Sequence, residues 1–170
     1  MGELAELVVV DLSDNLSGAY CSKLFADSGA TVTRVEPPEG DPQRHAQWSG
    51  LPTEGDAPLW RFLRHGQRSV VGRAGDAHVE ALCAAADVVI VSRRPEREWP
   101  GTIVVAITPY GLDGPFHDRP STEFTIQADS GAVSIRGIRA LPPIQMGGRI
   151  VEWVAGVYAG VAALAASRRS

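Results

Sequence analysis

The stretch LVVVDLSDNLSGAYCSKLFADSGATVTRVE, residues 7–36, decides the fold. An apolar run from Leu7 to Val10 ends at Asp11, and a polar loop with one glycine, Gly18, follows. Tyr20, Leu24, Phe25 and Ala26 then sit at helical spacing. Ser28-Gly29 breaks the pattern, and a second apolar run from Thr31 to Val35 closes at Glu36. Strand, helix and strand in about thirty residues is the size of one βαβ unit, which requires a parallel sheet. Its right-handed crossover leaves the loop after the first strand open at the carboxyl edge, where such sheets take ligands.

The rest of the chain continues the alternation. Pro37-Pro38-Glu39-Gly40-Asp41-Pro42 admits neither helix nor inner strand because of its prolines. A polar stretch with Trp48 and Trp60 leads into a turn and a short strand at 69–71. Ala77 to Ala86 has helical spacing, Val88 to Val91 reads as a buried parallel strand, and Thr102 to Ile107 is nearly all β-branched. Between them, the charged, proline-bounded segment Arg93 to Pro100 reads as a loop. Phe124 to Val133 is expected to be helical, Ile144 to Gly148 extended or turned, and Arg149 to Ser167 a long helix. Ala155, Gly156, Ala159, Gly160 and Ala163 give that last helix a small-residue face for close packing. The predicted fold is one Rossmann-like α/β domain over residues 1–170. Its parallel strands lie near 7–11, 31–35, 69–71, 88–91 and 102–107, flanked by helices.

Composition narrows the classes. A chain of 170 residues can bury a core, and its net charge of -4 gives no support to a nucleic-acid or anionic-membrane partner. Lys23 is the only lysine, so the positive charge is almost all arginine. Cys21 and Cys83 are too few for a disulfide framework and are expected to be buried free thiols. No charged segment precedes a long apolar one at the start, so no signal peptide is expected. Val151 to Ala166 falls short of ~20 apolar residues, which predicts a buried helix and no membrane span. A soluble, cytoplasmic protein is the expectation.

Few motifs carry chemistry on their own. Glu36 ends the second strand where an NAD ribose acid would sit, but Asp14-Asn15-Leu16-Ser17-Gly18-Ala19 lacks the G-x-G-x-x-G glycines that let a backbone approach pyrophosphate. Neither a P-loop nor a G-x-S-x-G elbow occurs. His45, His65, His78 and His117 have no metal spacing and read as surface or loop residues, so no metal is expected. Glu152 stands alone near the start of an otherwise apolar helix. It is read equally as a first-turn acid favoured by the helix dipole and as a carboxylate facing a cleft, suited to act as nucleophile or base.

Three blocks resemble the family III CoA-transferases, also called the CaiB/BaiF family. The first is VVVDLSDNLSGAYCSKLFADSGATVTRVEPPEGDPQR, residues 8–44, and the second is ADVVIVSRRP, residues 86–95. The third runs from ITPYGLDGPFHDRPSTEFTIQADSGAVSIRG, residues 107–137, to the helix GRIVEWVAGVYAGVAALAA. The resemblance implies a Rossmann-like domain binding acyl-CoA, an interlocked homodimer in intact members, and CoA transfer between carboxylic acids. In the transferases an aspartate is the nucleophile, passing through an acyl anhydride and an enzyme-CoA thioester. By alignment on Gly156 the nucleophile position holds Glu152, one methylene longer; misplacement by about 1 Å can cost ~100-fold.

The implied CoA contacts are Asn15, Leu16 and Ser17 of the first loop, Gln67 and Arg68, and Ser92 and Arg93. Gln67 replaces a lysine common in the family and Ser92 an asparagine, while Arg68, Arg93 and Arg94 are candidates to take over phosphate binding. Ser121, Thr122 and Glu123 stand where the racemase branch has G-H-D, which makes racemisation the least expected of the family's reactions. Members are roughly twice as long, so the resemblance implies a fragment, half of a tandem protein, or a stand-alone truncated relative, with a second copy or the missing C-terminal part as its expected partner. Two other readings accompany the transferase: a non-catalytic CoA-binding or scaffolding domain, and an unrelated Rossmann-like nucleotide binder.

Overall fold

The computed structural model describes residues 2–46, 55–138 and 140–167; the stretch around Trp48 lies outside them. Five strands form one parallel sheet: β1 (Val8–Asp11), β2 (Thr31–Glu36), β3 (Arg68–Val71), β4 (Val88–Val91) and β5 (Ile103–Ala106). Their order is β3-β2-β1-β4-β5. Val9 of β1 pairs with Val32 on one side and Val88 on the other, so β1 is central. The chain moves outward from β1 through β2 to β3, then returns to β1's other flank for β4 and β5. The loops after β1 and β4 therefore diverge at the switch point, where a crevice opens.

Both faces of the sheet are covered, which is why the strands read as continuous apolar runs. Val9, Val32, Val88 and Ile90 point to one face, against Cys21 and Phe25 of α1 (Leu16–Asp27) and Ala163 of α5 (Ile150–Ser167). Val10, Val35, Val89 and Val91 point to the other, against Val79 and Cys83 of α3 (Ala77–Ala84) and Trp99. Cys21 and Cys83 are buried free thiols, as expected, and burial pushes both up to about 12. Helix α1 starts because Asn15, in extended conformation, accepts the Gly18 N–H at 2.8 Å, a cap of about 1 kcal/mol. It stops at Ser28, followed by Gly29 at φ 98°.

Four sequence expectations change. Helix α2 (Pro58–Arg64) occupies a stretch read as polar connection; Pro58 fits its first turn and Leu63 is wholly buried against Leu16 and Ala19. Pro42 likewise opens a 3-10 turn, Pro42–His45, although the proline segment was expected to carry no helix. Helix α4 spans Glu123–Asp129 and does not reach Val133, because the chain turns at Ser130 and Gly131 adopts φ 78°. Helix α5 is not a buried helix: only Gly156, Gly160 and Ala163 are buried, while Val154, Val157, Tyr158 and Val161 are exposed. By length and composition α5 is the one helix among the described residues apolar enough to cross a membrane; here its glycine face lies along α1.

Candidate functional site

The loop after β1 is held from below by a cluster of buried charges. Asp11, Arg34, Asp41 and Arg64 are each at most 6% exposed. Arg34 reaches Asp41 at 2.9 Å and Asp11 at 3.6 Å, and Arg64 bonds Asp11 and Ser22. Two cations face two anions, so the cluster is neutral as a set. Burial alone would raise Asp11, but the Arg64 and Arg34 guanidinia and the Ser13 hydroxyl bring it down to about 2. Arg34 also donates to the carbonyls of Asp11 and Ser13, which fixes the path of the loop. Gly18 completes the turn, since a Cβ there would lie 2.0 Å from the Ser13 hydroxyl oxygen.

Glu36 belongs to a second ionic cluster. Its carboxylate accepts from Arg44 at 2.6 and 2.8 Å and from the Ser69 hydroxyl. Burial opposes its charge, yet these donors hold it below the ordinary glutamate range. Arg44 also pairs with Asp56 at 2.7 Å and stacks 3.7 Å over the Trp60 ring. The carboxylate at the end of β2 is thus engaged within the fold.

At the switch point lies a groove of about 540 Å³, walled by Ser13 and Asp14 after β1, Gly72–Gly75 after β3, and Ser92–Arg97 after β4. Arg73, Arg93, Arg94 and Arg97 line it. The Asp14 N–H donates to the Ser92 hydroxyl at 2.9 Å, and Arg93 pairs with the Asp14 carboxylate, tying the two walls together. Arginine forks on a concave surface suit phosphate oxygens.

Glu152 sits in the first turn of α5, with its side chain 23% exposed. One oxygen accepts the Leu16 N–H, the first of α1, at 3.2 Å. The other accepts Arg149 Nε at 3.0 Å and Arg149 Nη2. The carboxylate therefore lies at two helix N-termini, where unpaired N–H groups favour negative charge. The small face of α5 makes this approach possible: a Cβ on Gly156 would stand 2.6 Å from the Ser17 carbonyl oxygen. Asn15 braces the same corner, donating from Nδ2 to the Ile107 carbonyl at 3.2 Å.

The structure brings Asn15, Leu16, Ser17 and Glu152 to one corner, with Ser92 and Arg93 on the adjoining groove wall. Gln67 and Arg68 are elsewhere. Gln67 bonds Ser22, the Leu63 carbonyl and Arg64 beneath α1, and Arg68 is exposed at the start of the edge strand β3. Arg94, in the groove, pairs with Asp113 at 2.6 Å.

Sequence reasoning missed two partners of the corner. Glu123, in the first turn of α4, accepts the Val151 N–H at 3.1 Å, and its Oε2 is buried without a hydrogen bond. Gln127, fully buried, exchanges hydrogen bonds with Met146 (3.0 and 2.8 Å) and so anchors the chain entering α5. The acid at a capped helix start, four residues before a glutamine, was the available signal.

Comparison with known proteins gives consistent results. A family model described as CoA-transferase family III matches residues 4–170. A succinyl-CoA–D-citramalate CoA-transferase from Chloroflexus aurantiacus is 30% identical over 96% of this chain and 44% of its own length. The beta subunit of a succinyl-CoA–L-malate CoA-transferase from the same organism is 28% identical over 97% of this chain and 45% of its own. The crystal structure of a CAIB/BAIF family protein from Brucella suis superposes with a TM-score of 0.84 at 27% identity, covering 97% of this chain and 49% of that one. The chain thus spans a little under half the length of these relatives.

Proposed function

The chain belongs to CoA-transferase family III, and from that premise we propose that it takes part in moving CoA between carboxylic acids, with Glu152 as nucleophile. The observation that carries this reading is the Glu152 carboxylate held at the α1 N-terminus by the Leu16 N–H, beside an arginine-lined groove. In the proposed sequence a Glu152 oxygen attacks the thioester carbonyl of acyl-CoA, the C–S bond breaks, and CoA departs as thiolate. The thiolate then attacks the glutamyl carbonyl of the anhydride, releasing the donor acid as a carboxylate and leaving Glu152 as a thioester. An acceptor carboxylate reverses both steps and leaves as the new acyl-CoA. Each half-reaction passes from a carboxylate to a thiolate leaving group and back to a carboxylate, so a series of easier displacements replaces one hard exchange.

CoA is placed along the groove, with its phosphates on Arg93, Arg94 and Arg97 and its sulfur end near Asn15, Leu16 and Ser17. Ser92 supports that wall. Gln67 and Arg68 are assigned indirect roles, since neither lines the groove. The reading requires neither a metal nor NAD. It treats residues 1–170 as one domain of a cytoplasmic protein, working in a homodimer or with further polypeptide that supplies the acyl pocket. The names of relatives that act as alpha and beta subunits support an assembly of that kind.

Calorimetric titration with CoA tests the placement, and absence of binding would sink it. Mass spectrometry after incubation with succinyl-CoA tests the nucleophile through an acyl or CoA adduct on Glu152. One observation favours a second reading, a CoA-binding domain without catalysis: both Glu152 oxygens are already engaged, by Arg149 and Leu16. CoA binding with no adduct decides for that alternative.

A further inference from the structure

Three arginines around the groove are each paired with a carboxylate from the loop of the adjacent strand. Arg73 after β3 meets Glu39 after β2 at 2.5 Å, and Arg94 after β4 meets Asp113 after β5 at 2.6 Å. Arg93 after β4 meets Asp14 after β1, the pair that crosses the switch point, and both residues line the groove. At 78% and 54% exposure these two side chains lie largely in water, where an ion pair contributes little to stability, so parting them costs little. The backbone beneath is fixed by other means. The Asp14 N–H donates to the Ser92 hydroxyl at 2.9 Å, and Arg34 donates to the carbonyls of Asp11 and Ser13. The Asp14 carboxylate can therefore leave Arg93 while the loop keeps its path.

We propose that Asp14 sets how tightly CoA is held, by competing with a CoA phosphate for Arg93. The inference rests on CoA lying in the groove. A phosphate that takes the Arg93 guanidinium must first displace the Asp14 carboxylate. The displaced carboxylate then stands beside the incoming anion and repels it, so one acid opposes binding twice. A neutral side chain at position 14 removes both costs. Acyl-CoA must enter and leave in every round of transfer, and an acid that reclaims Arg93 weakens the hold and hastens departure.

CoA is the probe, titrated by calorimetry at low salt into the native chain, Asp14→Asn, Glu39→Gln, and Asp14→Asn combined with Arg93→Gln, each checked for fold by circular dichroism. Asp14→Asn is expected to bind CoA about three- to tenfold more tightly than the native chain, the range of one modest ionic contact. Glu39→Gln takes one negative charge from the same groove but leaves Arg93 paired, and is expected to gain less than about twofold. The double variant is expected to lose the gain. Equal affinity in the native chain and Asp14→Asn, an equal gain in Glu39→Gln, or an undiminished gain in the double variant overturns the proposal. Binding in none of the four overturns it together with the CoA placement, whereas binding without the Asp14→Asn gain overturns it alone.

Discussion

Two of the arginine–carboxylate sets in the described residues share the same chemistry in different surroundings. Under the β1–α1 loop, Asp11 and Asp41 meet Arg34 and Arg64 with almost no exposure. At the start of α5, Glu152 meets Arg149 on partly exposed, left-handed backbone. The first set has its full complement of opposite charges and forms the floor of the loop. The second joins an ion pair to a backbone donor from another helix, with the buried Oε2 of Glu123, which has no hydrogen bond, on the neighbouring helix start. Breaking an ion pair deep in a core is costly because it strands a buried charge, whereas a pair at a partly exposed rim contributes little to stability.

Removing one member of the buried set should have the largest effect. Arg34→Met leaves two aspartates facing one arginine, and a loss of about 3–5 kcal/mol is expected in urea denaturation. A loss below about 1 kcal/mol would erase the contrast between the two sets. The pH dependence comes next. Asp11 moves from an ordinary 3.8 to about 2 on folding, so it stabilises the fold above pH 4. That contribution, about 2 kcal/mol, should disappear as pH falls from 4 through 2, and Asp11→Asn should flatten the slope measured by acid titration of stability.

The third test separates scaffold from site. Gly156→Ala drives a methyl group toward the Ser17 carbonyl and should cost about 1–3 kcal/mol while pulling Glu152 off the Leu16 N–H. Gly160→Ala, whose Cβ would meet only Cys21 Sγ at 3.9 Å, should be neutral or gain up to about 1 kcal/mol from helix propensity. Thermal melts of the two variants give the comparison. Arg149→Gln should have the smallest effect on stability, within about 1 kcal/mol, because its ion pair lies at a partly wet rim.

The fold was largely legible in the sequence. β-Branched runs ending in Asp11, Glu36 and Val91 located the strands within a residue or two, because a strand buried on both faces needs an unbroken apolar run. The small face of α5 and the position of Glu152 in its first turn were legible for similar reasons of spacing. Helix α2 was not. Its seven residues carry two arginines among apolar neighbours, and its place depends on Leu63 and Arg64 reaching partners on α1 and β1. The buried charges were hidden as well, since nothing local to Arg34 says that it points inward to Asp11 and Asp41. The exposed face of α5 was misread because composition reports how apolar a helix is, and only tertiary packing decides which side is covered.

The hydrogen bond from Leu16 to Glu152 also bears on the order in which the molecule is built. It joins residues 136 positions apart, while the bond from Arg64 to Asp11 spans only 53. Closing a longer loop costs more chain entropy, and contacts between distant residues form later in folding. On the ribosome, the loop that awaits the carboxylate and the charges beneath it can be in place long before α5 is synthesised. Glu152 then docks onto a surface already shaped for it, so an error in making α5 would leave the Leu16 N–H without the carboxylate that meets it.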